Sequence, residues 1–421
     1  MKKGMKRRFC ILLAFTLAVT LCFGAVGNAS AASYSGTEKI FEKTGDYLYQ
    51  TVKEPAYGAI GGEWTMYGLA EAGYEMSDSY IQTYKKSVET AVEKGKGVLH
   101  SRKYTEYSRV ILAYTALGLD PTNIKGYSMV EKLADFDSVV WQGVNGPIFA
   151  LQALDAGNYQ IPKVEGIKNL TTRQKLIDYI LKEQLADGGW ALTGGKADPD
   201  LTGMALTALA PYYKQSKVKK AIDKAVNRLS YLQEKNGGFE SWGTSNLESC
   251  AQVLNGLLSV GINPNTDSRF KKSGNSVLDG MMDFYDETSG GFRHVNQPSG
   301  GYTPVVNVMA TEQAYYALAH FFQIVPSQSS LSTVTSPKKG TLKATWKKDT
   351  AVSGYQVKIA RNSGFSKSVK NYYISGNKNN SKTMSGLTKG KKYYVKVRAY
   401  TQINGKKVYG LYSPTKSITV K

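Results

Sequence analysis

Gln184, then Asp187-Gly188-Gly189-Trp190, then Asp200-Leu201-Thr202-Gly203-Met204-Ala205-Leu206 form the stretch that decides the fold. Paired glycines supply a tight reversal, because glycine adopts backbone angles closed to other residues. Trp190 can pack beneath the turn. The run that follows is small and apolar on all sides. The pattern recurs at Gln233, Asn236-Gly237-Gly238-Phe239 and Glu248-Ser249-Cys250-Ala251-Gln252-Val253-Leu254. A third turn, Gly290-Gly291-Phe292, precedes Glu312-Gln313-Ala314-Tyr315-Tyr316-Ala317-Leu318.

Three more segments share the form. They start at Glu63, Glu106 and Asn145, and in each a polar residue precedes a Leu by six positions (Leu69, Leu112, Leu151). The six starts are 43, 39, 55, 48 and 64 residues apart, a spacing that marks stacked two-helix units. A helix apolar all round is buried all round. Between these runs lie amphipathic charged stretches, such as residues 79–96, 171–183 and 216–234, that expose one face. Six buried helices alternating with six half-exposed ones predict an all-α α6/α6 toroid. A linear helical solenoid is the alternative, with one polar groove face on its inner helices.

The Gln…Gly-Gly-Trp/Phe turns and the Ala-Leu inner helices resemble the terpenoid cyclase and protein prenyltransferase toroids. The match is to their prenyltransferase/squalene oxidase repeats, and it covers roughly residues 33–323. The resemblance implies fold more than activity, since such toroids also serve as binding proteins, the cobalamin carriers among them.

The chain has 421 residues and a formal net charge of +21. With 42% hydrophobic residues it can build a core, which excludes global disorder. The charge is unevenly placed: +5 before residue 32, −3 over residues 32–326 and +19 from residue 327 onward. Lys2, Lys3, Lys6, Arg7 and Arg8 precede an apolar run from Phe9 to Phe23, and Ala29-Ser30-Ala31 offers a cleavage site. This is the form of a secretory signal peptide over residues 1–31. The run is short for a membrane anchor and carries Thr16 and Thr20. Cys10 and Cys22 would leave with it. Cys250 then has no partner for a disulfide. No later segment is apolar enough to span a bilayer.

Domain expectations are a toroid over residues 32–325, a Ser-rich linker over 326–336 and a β-module over 337–421. In the last, Leu342, Ala344 and Trp346 alternate, as do Tyr355, Val357 and Ile359, and Tyr393, Val395, Val397 and Ala399. An Asn404-Gly405 turn leads to Val408 and Tyr409. Short alternating strands of this kind predict a seven-strand sandwich. With Trp346 early and Leu387 before the Tyr393 run, the segment resembles a fibronectin type III domain. It holds twenty Lys and Arg against one acid, Asp349. Binding to an anionic cell-envelope polymer and a merely solvated surface both fit that excess. Nucleic acid is disfavoured by export.

Glu63, Glu106, Asn145, Asp200, Glu248 and Glu312 hold equivalent repeat positions. Equivalent repeats would gather them at one end of the ring, around a narrow funnel. Trp64, Tyr107 and Trp242 stand near these helix starts, and aromatic faces beside carboxylates suit sugars or cationic groups. Helix capping explains acids at helix starts equally well, but gathering five carboxylates together is costly. A structural brace is the alternative for the aromatics.

The prenyltransferase resemblance implies zinc at an Asp-x-Cys with a His on a later inner helix. Glu248-Ser249-Cys250 fits with Glu for Asp, but Glu312-Gln313 supplies no His, so no metal or cofactor is expected. The cyclase resemblance implies Asp-x-Asp-Asp, and Asp198-Pro199-Asp200-Leu201 lacks the last Asp. No nucleophile elbow, P-loop or Rossmann fingerprint occurs. No catalytic residue is assigned. The expectation is a secreted or surface-associated protein whose funnel binds a small molecule, glycan or peptide, and the resemblance of its domain pairing implies a bacterial one. A secreted toroid enzyme acting on glycan or lipid is the alternative.

Overall fold

The computed structural model describes residues 34–421. The expected signal peptide, with Cys10 and Cys22, lies outside the described residues. The chain divides into two compact units, residues 35–260 with 264–321 and residues 322–421 with 261–263. The first is helical and the second is built of β-sheet.

The helices are α1 (Tyr34–Thr51), α2 (Glu63–Glu71), α3 (Asp78–Lys94), α4 (Thr105–Ala116), α5 (Met129–Lys132), α6 (Phe136–Val139) and α7 (Asn145–Ala156). They continue as α8 (Arg173–Lys182), α9 (Pro199–Leu209), α10 (Ser216–Leu232), α11 (Leu247–Ser259), α12 (Val277–Met282) and α13 (Val308–Ile324). The apolar repeat segments are α2, α4, α7, α9, α11 and α13. The amphipathic stretches are α3, α8 and α10, which bury one stripe, for example Val218, Ile222, Val226 and Leu229 on α10.

Helix α2 packs on α4, α4 on α7, α7 on α9 and α9 on α11. Helix α13 reaches α11 through Gln252 and Gln313, 2.9 Å apart, and reaches α2 through Thr65 and Glu312, 2.7 Å apart. The α9–α11 crossing is close because both helices have glycine there. A Cβ on Gly203 would stand 2.4 Å from the Gln252 carbonyl oxygen, and one on Gly256 would stand 2.5 Å from that of Gly203. This approach makes the starts of α9 and α11 neighbours.

The glycine turns work as the repeat suggests. Gly188 and Gly237 take φ of +99° and +93°. Gln184 donates to the carbonyls of Gly188 (2.7 Å) and Ala221 (2.9 Å), tying the turn to α10. Gln233 does the same for Gly237 (3.0 Å) and Phe270 (3.3 Å). Trp190, Phe239 and Phe292 are fully buried beneath the turns. Thr202 on α9 and Thr311 on α13 each clip the backbone of the turn aromatic, Trp190 and Phe292.

A short hairpin, β1 (Glu240–Ser241) with β2 (Thr244–Ser245), stands just before α11, with Trp242 and Gly243 at its tip. The remaining strands are β3 (Leu331–Thr335), β4 (Leu342–Trp346), β5 (Gly354–Ala360), β6 (Lys370–Ser375), β7 (Ser381–Met384), β8 (Lys392–Ile403), β9 (Lys406–Tyr409) and β10 (Lys416–Thr419). One sheet has the order β3-β4-β7 and the other β10-β8-β5-β6, with β9 also on β8. Trp346, Tyr355, Val357, Ile359, Val395 and Val397 form one core from both sheets, each buried by the alternation seen in the sequence.

Two expectations change here. Residues 331–335, assigned by composition to a linker, form β3 and pair with β4. Eight strands form these two sheets among the described residues instead of seven. Both β9 and β10 lie against β8, separated by residues 410–415, where Pro414 has no N–H to give a ladder.

Candidate functional site

The carboxylates predicted at the inner-helix starts fall into two groups. In the first, Glu106 on α4 pairs with Arg109 one turn later (2.5 Å), and Tyr57 reaches the same carboxylate oxygen at 3.4 Å. Glu63, the first residue of α2, is buried and accepts the Gly58 N–H at 3.0 Å. Glu312 is buried and accepts the Thr65 hydroxyl. Burial pushes the Glu63 carboxyl up, while Arg109 opposes that rise. Burial also pushes Glu312 up to about 7. Burial works against the charge of Arg109, but Glu63 and Glu106 hold its pKa above the usual value.

In the second group, Asp200 on α9 and Glu248 on α11 meet a loop histidine. Glu248 Oε2 lies 2.6 Å from His294 Nδ1. That hydrogen bond is the main reason His294 titrates above its ordinary value, with the charges of Glu248 and Asp200 adding to it. The His294 carbonyl also accepts the Leu247 N–H at 3.0 Å, which fixes the loop to the start of α11. Asp200 is pushed up to about 7 by burial first and by the Asp198 carboxylate second. Glu248 Oε1 is buried and has no hydrogen-bond partner among the described residues, and the Asp200 carboxyl has only the Ser249 hydroxyl against it. A buried oxygen is costly to leave unmatched.

The side-chain N-caps of three of these helices are other residues. Asp198 caps α9 through Leu201 N–H (3.0 Å), and Asn246 caps α11 through Ser249 N–H (2.9 Å). Asn307 does the same for α13 through Ala310 N–H (2.8 Å). Glu312 is the fifth residue of its helix, whereas Glu63 and Asn145 are first and Glu106, Asp200 and Glu248 are second. Measured from the shared threonine clips, Asp200 precedes Thr202 by two and Glu312 follows Thr311 by one. Glu312 therefore sits one helical turn deeper.

Tyr316 lies between the groups. Gln252 donates to its hydroxyl, and its pKa is raised by burial first, then by Glu312, Asp200 and Glu248. Trp64 is half-buried and meets Phe149 (5.7 Å between ring centroids) and Tyr316 (5.8 Å), so side chains of α2, α7 and α13 converge. Trp242 is 79% exposed at the hairpin tip, and the hairpin is tied to the second group because the Ser241 hydroxyl donates to Asp198. Tyr302, also exposed, meets the His294 ring edge-on at 4.4 Å.

The other predicted residues make different contacts. The Tyr107 hydroxyl accepts N–H groups of Leu99 and His100 and donates to the His100 carbonyl, so it braces the turn before α4. Asn145 opens α7 and, among the described residues, makes no hydrogen bond with either group. Cys250 is buried, its Sγ donates to the Asn246 carbonyl at 3.4 Å, and burial pushes its thiol up. Among the described residues no group of three or more His, Cys, Asp and Glu is placed to hold a metal ion.

Arg109 and His294, which pair with Glu106 and Glu248, are the side chains of these two groups that repeat reasoning passes over. Arg109 does carry a signal, since it is a single cation inside an otherwise apolar helix and must find a partner. His294 carries none, because it stands in a loop outside every repeat.

No protein-family model and no curated protein matches this chain. Among solved structures, the crystal structure of chicken CNTN1 FN1-FN3 domains is similar over 22% of this chain and 30% of that chain, at 23% identity and a TM-score of 0.19. By its own helices and sheets, the protein is a helical unit joined to a β-sandwich-like unit. No helix among the described residues is long and apolar enough to cross a membrane.

Proposed function

We propose that the helical unit is an α6/α6 toroid of the terpenoid cyclase and prenyltransferase type, and the β-unit a fibronectin type III module. The first reading is supported by the sequential packing from α2 to α11 and by α13, which bonds to both α11 and α2. The second is supported by two antiparallel sheets around one core.

In this reading the protein is secreted or held at the cell surface and binds a glycan with its toroid. One observation carries the ligand: Glu248 Oε1 is a buried acceptor with no hydrogen-bond partner among the described residues, and Asp200, whose carboxyl has only the Ser249 hydroxyl against it, stands in the same group. Sugar hydroxyls or an amino group would satisfy them, and the exposed faces of Trp242 and Tyr302 suit the apolar face of a sugar ring. The basic module, at +19, attaches the protein to an anionic polymer of the envelope.

Calorimetry with neutral and amino-sugar oligosaccharides tests the reading. The Asp200→Asn/Glu248→Gln double variant should lose binding while its melting curve stays cooperative. A ligand bound equally well by that variant rules out this site.

A second reading, an enzyme acting on glycan or lipid, is favoured by the Asp200 carboxyl near 7. A carboxyl that titrates there can donate a proton at neutral pH. Release of shortened product from a bound oligosaccharide, abolished by Asp200→Asn, would select it over binding alone.

A further inference from the structure

The outer face of the larger sheet carries cations with no acid among them. Register places Tyr373, Gln356 and Arg398 in one row across β6, β5 and β8, and Asn371, Lys358 and Lys396 in the next. Lys358 and Lys396 are directly opposite, an arrangement of like charges that destabilises a sheet. Burial first, then Lys358 and Arg398, hold the Lys396 pKa below its usual value. The one acid of the module, Asp349, accepts the Ala351 N–H instead (2.9 Å).

The face is also rigid. Gln356 is buried at its centre. Its oxygen accepts from Arg398 Nε (2.6 Å) and the Tyr412 hydroxyl (2.9 Å), and its nitrogen donates to Asn371 (3.1 Å) and Tyr373 (3.2 Å). The Arg398 guanidinium lies 3.7 Å from the Tyr409 ring centroid and 4.4 Å from that of Tyr412. Lys396 lies 4.2 Å from Phe365 and 4.4 Å from Tyr412, and Lys407 lies 5.4 Å from both Tyr373 and Tyr400. Arg398 is therefore held by Nε and two rings, with its terminal fork unpaired to any carboxylate among the described residues. Such a fork matches a carboxylate in bidentate geometry.

We propose that this face, built by β5, β6, β8 and β9, binds an acidic polysaccharide, one carboxylate seated on the Arg398 fork and its neighbours on Lys358, Lys396 and Lys407. The inference rests on the anchoring reading above and locates it on one surface. Exposed Tyr373, at the edge of the cation cluster, offers a sugar ring an apolar contact.

The test is binding of the full chain to polygalacturonate at fixed salt. Arg398→Lys, which keeps the charge but not the fork, should weaken binding about tenfold. The surface variant Lys358→Gln/Lys396→Gln should do likewise without loss of thermal stability. Lys338→Gln/Lys339→Gln/Lys391→Gln, which removes three cations elsewhere on the module, should change affinity less. Equal losses in all three variants would overturn the assigned face and leave diffuse charge anchoring standing. Equal affinity for poly-glutamate, which has no sugar rings, would overturn the assignment to a sugar chain. A wild-type chain that binds no polygalacturonate would overturn both.

Discussion

Glu248 Oε2 and His294 Nδ1 lie 2.6 Å apart, joining the start of α11 to a loop 46 residues downstream. The pair raises the His294 pKa, chiefly through the hydrogen bond itself. Its contribution to stability is therefore complete below the ordinary histidine value of 6.5 and is lost as pH rises through the raised value. Glu248→Gln should move the His294 titration downward, as followed by NMR of its ring protons. An unmoved titration would show that the pair does not set the charge of that loop.

Asp200 and Glu312 give stability a second pH dependence. Each carboxyl binds its proton more tightly folded than unfolded, with folded values of about 7 against ordinary values of 3.8 and 4.5. The folded state then holds more protons across that window, so stability falls as pH rises from about 4 to about 7 and levels above it. Urea melts from pH 4 to pH 8 should show that decline. Asp200→Asn/Glu312→Gln should flatten it, and an equally steep slope in the double variant would assign it to other groups.

Backbone geometry sets a third expectation. Gly237 has φ of +93°, and a Cβ there would stand 2.1 Å from the Ser276 carbonyl oxygen. Gly237→Ala should destabilise the protein by more than about 2 kcal/mol, through strain and displacement of α12. Gly195→Ala, at ordinary φ with open space around it, should stay within about 1 kcal/mol of wild type. Comparable thermal melts for the two would count against the turn as a rigid element.

Trp242 separates ligand contact from folding. It sits at φ of +53° in the β1–β2 turn and is largely exposed. Trp242→Asn keeps a residue that tolerates this conformation. The melting temperature should be unchanged or slightly higher, while oligosaccharide affinity falls at least about fivefold. Unchanged affinity by calorimetry would remove the hairpin from the site.

Local patterns account for much of the architecture. The Gln…Gly-Gly-aromatic turns and the alternation of Leu342, Ala344 and Trp346 are periodic, and periodicity depends only on near neighbours in the chain. The same holds for the division of charge into a near-neutral helical unit and a basic β-unit. The site was less legible. Six similar helix starts suggested one equivalent set, yet Glu312 lies a turn deeper than Asp200, and Tyr107 turns its hydroxyl to backbone.

Partnership required packing. Glu312 meets Thr65 across 247 residues, and Asp200 becomes a neighbour of Glu248 because Gly203 and Gly256 let α9 and α11 approach closely. His294 reaches Glu248 from a loop with no periodic mark. On the β-unit, composition showed the excess of cations, but strand register placed Lys358, Lys396 and Arg398 side by side on one face. Residue type and spacing set which elements form and which faces are apolar. The distances between elements, and so the charges each carboxylate or cation feels, arise only when the faces pack.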